Sequence, residues 1–496
     1  MRKCWFLGLI SLAVLLGAGV PLTATTRFTP SASPLRLDEP LEDVIADLDA
    51  FVPAYMEAQG VPGVAIALVR EGRVAWTGEY GLANRLSRRP IAPDTTFSVA
   101  SNSKVVTAYI ALRLVDQGLL SLDAPLDGYL SEPWLPQEEF RPAITPRHTL
   151  SHTSGLGHLT FSRELQFPPG AGYFYSGRGL EYTQEVLEEA TGRSLEKLGQ
   201  ELVFQPLGMD HTSFVGTPAV QAQAARGHLP AVVPVLIFVI PFLIALLVLG
   251  LVALVWAHVR TGRWRPSRRA ALTVYLAAAA LASIPTFLLE GGFSLDRLLL
   301  IVILAGLPLL AFLLGGLALR RLLPGRHGLR KGLVLAGVLL VVLGMGAAVV
   351  ALGDLPSPPL ASKKPNAGGS VSSTATDMAR FLIELGNPQY LSPEAAAQMR
   401  QPQVSLSGNL SWGLGPGIQH SPQGDALWQW GQATDFQSVM IIYPDLGYGV
   451  VVLTNSDLLN SDVAIDIAHR ALGGSIESIR RASHLEFNYQ GPFLEE

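Results

Sequence analysis

The chain has 496 residues but only one cysteine, Cys4, and few charged residues. A single cysteine excludes an internal disulfide and a zinc site built from several cysteines. Charged residues make up 15% of the sequence and hydrophobic residues 49%. A disordered chain would be highly charged and poor in apolar residues, so disorder is excluded as the main state. Because soluble domains usually contain about a quarter charged residues, we expect part of this chain to lie in a lipid bilayer.

An excess of positive charge is also missing, since the formal net charge is −4. Nucleic-acid-binding domains usually carry a basic surface, so nucleic acid is not expected as a partner. The charge is unevenly distributed, because residues 229–353 contain eleven basic and two acidic residues whereas the rest of the chain is acidic. This asymmetry indicates two parts of the chain that lie in different solvents.

Residues 1–26 are typical of a secretory signal peptide. Arg2 and Lys3 precede an apolar run from Cys4 to Val20, and Pro21 and small residues follow. An uncleaved membrane anchor is the alternative, because the cleavage-site pattern is imperfect. Either interpretation sends the following chain across the membrane.

Residues 229–353 contain four further apolar runs, and each reaches the ~20 residues needed to cross a hydrocarbon core. The runs are Leu229–Ala257, Ala270–Leu289, Leu298–Leu319 and Gly332–Gly353. The first and third connections are rich in arginine, whereas the second contains Glu290 and Asp296. The positive-inside rule therefore places the first and third connections in the cytoplasm. We expect a multi-pass protein of the cell membrane whose larger body lies on the extracytoplasmic side.

Residues 36–228 and 370–496 are expected to form one domain that the membrane segment interrupts, with a proline-rich linker over 354–369. Apolar residues at helical spacing predict a helix from Leu41 to Tyr55, and alternation predicts a hairpin that follows it. The second half reads as helices near 373–385 and 462–472 around strands at 410–418, 426–432, 436–443 and 448–454. This order predicts an α/β fold, in which an antiparallel sheet flanked by helices is interrupted by an all-α transmembrane bundle.

Ser101 and Lys104 stand at the start of a predicted helix over 104–117. Residues three apart share one face of a helix, so the lysine is expected to lie beside the serine. A serine hydroxyl becomes a nucleophile when a neighbouring base takes its proton, and a desolvated lysine can be that base. The same spacing also occurs by chance on solvated helices, so the context of the motif decides its meaning.

Further motifs follow this Ser-x-x-Lys motif in a defined order along the chain. They are His152-Thr153-Ser154-Gly155, Tyr175-Ser176-Gly177, Ala367-Gly368-Gly369-Ser370 and Trp428-Gln429-Trp430-Gly431-Gln432. The ordered set resembles the serine β-lactamase and penicillin-binding protein superfamily, and most closely its branch of class C β-lactamases, D,D-peptidases and esterases. The resemblance stops at both edges of the predicted membrane segment.

The resemblance implies a serine hydrolase that acts through an acyl-enzyme on amide, ester or β-lactam bonds, without a metal or cofactor. Ser101 matches the nucleophile, Lys104 the lysine that shares its proton, and Tyr175 the general base. The backbone N–H groups of Ser101 and Gln432 match the oxyanion hole, whose donors are each worth roughly 3–4 kcal/mol in acyl transfer. The substrate-binding positions implied are Gly177, Gln429, Trp430 and Gly431.

Three positions depart from the family pattern. Gly177 stands where asparagine is usual, Gln429 where lysine or histidine is usual, and Asp435 where glycine is usual. Gly177 lacks a side-chain hydrogen bond to the substrate or to the lysine. Gln429 keeps a donor but lacks the positive charge that helps bind a substrate carboxylate. The departures favour esterase, amidase or altered peptidase chemistry over ordinary β-lactam turnover.

Two other groups of residues have milder interpretations. His148, His152 and His158 are spaced by four and six residues, without a predicted helix, a cysteine or a nearby carboxylate pattern, so no metal is expected. Trp428 and Trp430 could line a substrate cleft, but residues at alternate positions of a strand more often pack.

Three functions are therefore compared. The first is a membrane-anchored extracytoplasmic hydrolase whose substrate is a small molecule or a peptide, with cell-wall fragments as one source. The second is a non-catalytic relative that binds a ligand and signals through its membrane helices, and the third is an exporter. The intact Ser101, Lys104 and Tyr175 favour the first over the second. Charged residues are absent from the middle of every apolar run, which disfavours the third.

The predicted topology can be tested by cysteine accessibility in a chain from which Cys4 has been removed. We expect a cysteine introduced by Ser267→Cys, in the arginine-rich first connection, to be labelled by an impermeant thiol reagent only after the cells are opened. A cysteine introduced by Ser87→Cys, in the extracytoplasmic body, should be labelled in intact cells. Labelling of position 267 in intact cells would contradict the topology.

Overall fold

The structure is a computed structural model that describes residues 34–157, 164–229, 355–356, 364–406, 408–433, 435–456, 462–475, 479–480 and 490–492. The predicted signal peptide and, apart from Leu229, the four predicted apolar runs lie outside these ranges. Within them, no helix combines the length and the apolar character that crossing a bilayer requires.

The described residues belong to two compact units. One comprises residues 34–83 and 88–225 together with those from 364 onward. The other comprises 84–87, 226–229 and 355–356. In this smaller unit, strand His228–Leu229 pairs with strand Leu355–Pro356 in antiparallel register, so residues on either side of the predicted membrane segment are hydrogen-bonded to each other.

The helices of the larger unit follow the chain in two groups, one before and one after the predicted membrane segment. The α-helices are α1 (Leu41–Gln59), α2 (Asn102–Asp116), α3 (Pro146–Leu150), α4 (Gly177–Thr191), α5 (Leu195–Gly199), α6 (Pro218–Gln223), α7 (Ala375–Gly386), α8 (Pro393–Arg400) and α9 (Val463–Leu472). Short 3₁₀ turns lie at Arg36–Asp38, Leu126–Tyr129, Glu138–Phe140 and Pro444–Leu446, and a π-helical turn lies at Gln200–Phe204.

The strands are numbered along the whole chain. They are β1 (Gly63–Arg70), β2 (Arg73–Asn84), β3 (Arg89–Pro90), β4 (Phe97–Ser98), β5 (Gly172–Tyr173), β6 (His228–Leu229), β7 (Leu355–Pro356), β8 (Ser372–Ser373), β9 (Val404–Ser405), β10 (Leu410–Trp412), β11 (Gly417–Gln419), β12 (Ala426–Ala433), β13 (Phe436–Tyr443), β14 (Tyr448–Thr454) and β15 (Gln490–Pro492). Nine of them form one antiparallel sheet in the order β3-β2-β1-β14-β13-β12-β11-β10-β9.

The centre of this sheet joins the two halves of the sequence. β1, from the first half, pairs with β14, from the second, in a continuous antiparallel register from Val64↔Thr454 to Val69↔Gly449. Both strands are buried on both faces, which explains their nearly continuous apolar sequences. The domain therefore closes only when both halves are present.

Two apolar layers cover the two faces of the sheet. Alternate residues of β1 point to opposite faces, because side chains in a strand have a period of two. One set, which includes Ala65 and Ala67, packs with α2 and α7. The other set, which includes Val64 and Ile66, packs with α1 and α9. The predicted antiparallel sheet with flanking helices is confirmed, as are the predicted first hairpin and the helices that became α1, α7 and α9.

The predicted single strand over 410–418 is wrong. β10 ends at Trp412 and β11 begins at Gly417, with a turn between them. Gly415 has a φ of 111°, a conformation that favours glycine, and its N–H donates to the carbonyl of Leu150. The turn is anchored to the last residue of α3, and this tertiary contact breaks the alternation that the sequence shows.

A buried hydrogen bond links the first half of the chain to the second behind the sheet. Tyr109 of α2 donates to Glu384 of α7 over 2.5 Å, and Glu384 also accepts from the N–H groups of Gln389 and Tyr390. Burial and the adjacent carboxylate raise the pKa of Tyr109, so its hydroxyl stays protonated and donates.

We expect Tyr109→Phe to lower the free energy of unfolding by about 1.5–3 kcal/mol, the usual cost of losing a hydrogen bond to a charged group. The measurement is chemical denaturation of the purified protein. Tyr390→Phe is the matched control, because the hydroxyl of Tyr390 makes its hydrogen bond to Pro206 at the surface. Its effect should stay within about 0.5 kcal/mol. Equal effects of the two substitutions would contradict the prediction.

Candidate active site

Ser101 is placed by a tight turn between β4 and α2. Ala100 has a φ of 45°, a left-handed conformation that is costly for a residue with a Cβ and persists only where neighbouring structure enforces it. Two contacts hold Ala100 in this conformation. β4 pairs with β8, and the N–H of Val99 donates to the carbonyl of Val371. Ser101 is the first residue after this turn and precedes the first residue of α2, where the helix directs its free N–H groups.

Lys104 lies one turn along α2, and its side chain is bonded to the serine. Its Nζ donates to Ser101 Oγ over 2.8 Å and to the carbonyl oxygen of Gly368 over 2.8 Å. Lys104 is only 3% exposed, and its hydrogen bond to Ser101 is buried. The backbone carbonyl of Gly368 is a contact that reasoning from side-chain motifs missed, although the Ala367-Gly368-Gly369 run was the available signal.

Gly177 lies near both Gly368 and the side chain of Lys104. A Cβ on Gly368 would stand 3.9 Å from Gly177 Cα and 3.9 Å from Lys104 Nζ. Gly177, Gly368 and Lys104 therefore lie close to one another. The second hydrogen-bond acceptor of Lys104 is thus the backbone carbonyl of Gly368, which comes from the other half of the sequence.

Tyr175 is held from both sides by His152. The residue before the tyrosine, Phe174, donates its N–H to the carbonyl of His152, and the residue after it, Ser176, donates its N–H to His152 Nδ1 over 3.1 Å. Ser176 also caps α4, because its Oγ accepts from the N–H of Gly179 over 2.8 Å. These bonds fix the backbone on which Tyr175 stands, with its ring 4.8 Å from Lys104 Nζ.

Gly431 brings β12 against the nucleophile. A Cβ at this position would lie 2.2 Å from the carbonyl oxygen of Val99 and 3.1 Å from the nitrogen of Ser101, so only glycine allows the strand to approach so closely. Gln432 follows on β12, paired with Gln437. This approach is what an oxyanion hole built from the N–H groups of Ser101 and Gln432 requires, and the hole itself stays a prediction.

Gln429 is one of the substrate-binding positions that the resemblance implies, and its side chain is engaged inside the protein. Its side chain is 0% exposed. Its Nε2 donates to Tyr175 Oη over 3.0 Å and to the carbonyl oxygen of Trp430 over 2.8 Å. The amide hydrogens are therefore used inside the protein.

Trp430 was also expected at the substrate, but its side chain is buried in an aromatic cluster. Its ring stacks on Tyr175 with centroids 5.4 Å apart and on Trp428 with centroids 5.4 Å apart. Trp412 meets both tryptophans nearly at right angles. The cluster packs against the ring of Tyr175, in line with the tendency of residues at alternate positions of a strand to pack.

The histidines of the second motif have hydrogen-bonded roles. His148 Nδ1 accepts from the N–H of Thr145 at the start of α3, and burial lowers the pKa of His148, so it is neutral at neutral pH. His158 lies outside the described residues. No group of three or more histidine, cysteine or acidic side chains within the described ranges is placed to hold a metal ion.

Ser411 of β10 forms a second row of hydrogen bonds with His420 and Asp425, which lie in the connection between β11 and β12. Ser411 Oγ lies 2.9 Å from His420 Nε2, and His420 Nδ1 lies 2.9 Å from Asp425 Oδ1. The order is that of a catalytic triad, but Ser411 stands inside a strand that is paired on both sides, away from a helix N-terminus. The carboxylate of Asp425 is 56% exposed, and solvated charges interact weakly. We assign this row to cross-strand stabilisation.

The sequence matches the protein family described as Beta-lactamase over residues 48–243 and 332–475. The chain belongs to the beta-lactamase family. This places it in a superfamily of serine hydrolases, in agreement with the order of the motifs.

Curated relatives in this family are hydrolases with different names. The chain is 34% identical over 209 residues to "Esterase EstB" of Burkholderia gladioli, a match that covers 34% of this chain and 51% of the relative. It is 29% identical over 209 residues to a "Beta-lactamase" of Pseudomonas fluorescens, covering 39% and 57% respectively. It is 27% identical over 216 residues to a "D-aminopeptidase" of Brucella canis, covering 37% and 40%. The chain therefore spans about half the length of the curated relatives it matches.

Solved structures share the fold. An octameric penicillin-binding protein homologue from Pyrococcus abyssi superposes with a TM-score of 0.55 at 17% identity, over 90% of this chain and 79% of that one. A class C beta-lactamase superposes with a TM-score of 0.56 at 14% identity, over 86% of this chain and 95% of that one. The larger unit thus has the β-lactamase and transpeptidase architecture.

The close approach of β12 to Ser101 can be tested with Gly431→Ala. The added methyl group meets backbone on two sides, so the strand or the nucleophile turn has to move. We expect destabilisation of about 1–3 kcal/mol, the usual cost of overpacking, and loss of covalent labelling of Ser101 by a phosphonate probe. Gly128→Ala is the matched control, since a Cβ there meets nothing within 4 Å. Normal labelling of the Gly431 variant would show that β12 does not approach Ser101 in solution.

Proposed function

We propose that this member of the beta-lactamase family hydrolyses ester or amide bonds through an acyl-enzyme formed on Ser101. The observation that carries the proposal is the 2.8 Å contact between Lys104 Nζ and Ser101 Oγ, in a buried site with Tyr175 beside it. The contact gives one proton a direct path between the nucleophile and a nitrogen base, which is the arrangement that activates a serine hydroxyl.

The reaction has two balanced halves. Ser101 Oγ attacks the carbonyl carbon, its proton passes to the pair of Lys104 and Tyr175, and the carbonyl oxygen takes the electron pair of the broken π bond. The backbone N–H groups of Ser101 and Gln432 stabilise that negative oxygen. The proton then moves to the leaving alcohol or amine as its bond to the carbonyl carbon breaks. A water molecule repeats the sequence on the acyl ester and restores the serine.

We expect the preferred substrate to be an ester or amide without a free carboxylate beside the scissile bond. Position 429 is neutral, and both hydrogens of its amide are engaged by Tyr175 and Trp430. A carboxylate would find no charge-assisted partner at this position. Gly177 supplies no side-chain amide for the hydrogen bond by which an amide substrate is usually held. Both features favour esters, and the similarity to an esterase supports this choice.

The site is placed outside the cytoplasmic membrane in this proposal. Support comes from the sequence, where an N-terminal signal and an even number of apolar runs agree on the same side. The substrate is then a small molecule or a peptide derivative of that compartment. A non-catalytic ligand-binding role is the alternative, and the departures at Gly177 and Gln429 are the reason to test it directly.

Covalent labelling distinguishes the two roles. We expect a fluorophosphonate probe to add once to the purified protein, as seen by intact mass, and peptide mapping to place the adduct on Ser101. Labelling should slow by about 10²-fold or more in Lys104→Ala and in Tyr175→Phe, the usual scale of general acid–base contributions. A fluorescent penicillin in parallel shows whether β-lactams acylate the same serine.

The controls follow from the geometry. Ser101→Ala should abolish labelling, whereas Ser411→Ala should leave it unchanged, although Ser411 also has a histidine partner. Tyr129→Phe removes the hydroxyl of a tyrosine that is distant from Ser101 in the sequence and does not contact it. The probe should label this variant at the normal rate. An adduct on another residue, or normal rates in both the Lys104 and Tyr175 variants, would refute the proposed chemistry. Absence of any adduct would favour the ligand-binding role.

A further inference from the structure

The amide of Gln429 has one possible orientation. Its terminal nitrogen lies 2.8 Å from the carbonyl oxygen of Trp430, and a carbonyl oxygen can only accept hydrogen bonds. An amide oxygen in that place would face another oxygen at hydrogen-bond distance, so the nitrogen must be there. The second hydrogen of the same nitrogen points to Tyr175 Oη at 3.0 Å. Tyr175 therefore accepts a hydrogen bond from Gln429.

The surroundings of Tyr175 make this hydrogen bond consequential. The tyrosine is 2% exposed, so water does not replace a lost partner easily. Two titratable side chains of the described residues lie against it. They are Lys104 of α2, with Nζ 4.8 Å from the ring centroid, and His152 from the segment after α3, with its ring centroid 4.4 Å away. His152 Nδ1 accepts from the N–H of Ser176 and so presents no proton from that nitrogen.

We propose that Gln429 is a positioning residue for Tyr175, whose amide holds the tyrosine oxygen as a hydrogen-bond acceptor, and that it does not contact a substrate carboxylate. The inference rests on the proposed function, because it requires Tyr175 to receive the proton that leaves Ser101. A donor directed at this oxygen stabilises its negatively charged form. Since the donor is a neutral amide, the stabilisation is weaker than an ammonium group would give.

This assignment changes what substitution at position 429 should do. A residue that touched the substrate would alter the preference among substrates. A residue that acts on the base instead alters the pH at which the base becomes competent, for every substrate alike. The two roles therefore separate in a pH profile measured with one neutral ester.

The experiment measures kcat/KM against pH for wild type, Gln429→Met and Gln429→Lys. Methionine keeps the length of glutamine and removes the donor, so the acid limb should move to higher pH by about half a unit to one unit, the effect of losing one neutral hydrogen bond. Lysine restores a donor and adds charge, so the limb should return to the wild-type position or below it.

Gln419→Met is the matched control. Gln419 is a buried glutamine of β11, and its Nε2 donates to the carbonyl oxygen of Ser475, outside the proposed machinery. Gln419→Met should leave the pH of the acid limb unchanged. Circular dichroism and phosphonate labelling of Ser101 establish that each variant retains its fold and its site.

The results of these measurements distinguish failure of the inference from failure of the proposed function. An unmoved acid limb in Gln429→Met with intact labelling overturns the inference. So does a Gln429→Lys variant that keeps the wild-type limb but shifts kcat/KM from a peptide methyl ester towards the same peptide with a free carboxyl end, because that result places the residue at the substrate. If Gln429→Met does not fold, the comparison of the two substrates in Gln429→Lys still tests whether residue 429 contacts the substrate. Failure of the wild-type protein to be labelled, or to turn over any ester or amide, refutes the proposed function itself.

Discussion

The pairing of β1 with β14 is the constraint on which the rest of the domain depends. It joins strands from opposite ends of the sequence in the middle of the sheet, and the covering helices of both faces come from both halves. A long connection between paired elements costs little extra, because each doubling of a loop adds only about 0.6 kcal/mol of closure entropy. A sheet closed in this way tolerates a large insertion at its surface provided that the chain returns near the point where it leaves.

The geometry of the candidate site is a product of the same closure. Ser101, Lys104 and Tyr175 come from the first half, whereas the carbonyl of Gly368, the amide of Gln429 and the close approach of Gly431 come from the second. Neither half alone supplies both the nucleophile and the groups that surround it. The groups that hold Ser101, Lys104 and Tyr175 in place are mostly backbone groups or buried side chains, and the strands that carry them fix their positions.

Much of the fold follows from the sequence, because apolar periodicity marks α1, β1 and β14 and the motif order points to the architecture. The site is less predictable where backbone groups act, as the carbonyl of Gly368 does, since a motif of side chains does not show which carbonyl meets a lysine. Gln429 is expected at the substrate from its position in the motif, but the motif does not show that its buried amide, in the middle of β12, donates to Tyr175. The strand predicted over 410–418 failed because a tertiary contact at Gly415 outweighs local alternation. The membrane segments remain predictions from hydropathy and charge.

The central place of β1 also bears on how the protein is made. β1 is apolar on both faces and one of its edges belongs to β14, a strand that is synthesised several hundred residues later. Because synthesis proceeds at roughly 5–20 residues per second, that edge stays unpaired for on the order of tens of seconds. An unpaired apolar edge is a template for wrong association. The nascent first half therefore has to be kept apart from other chains until translation is nearly complete, and the domain gains its site only in the last stage of synthesis.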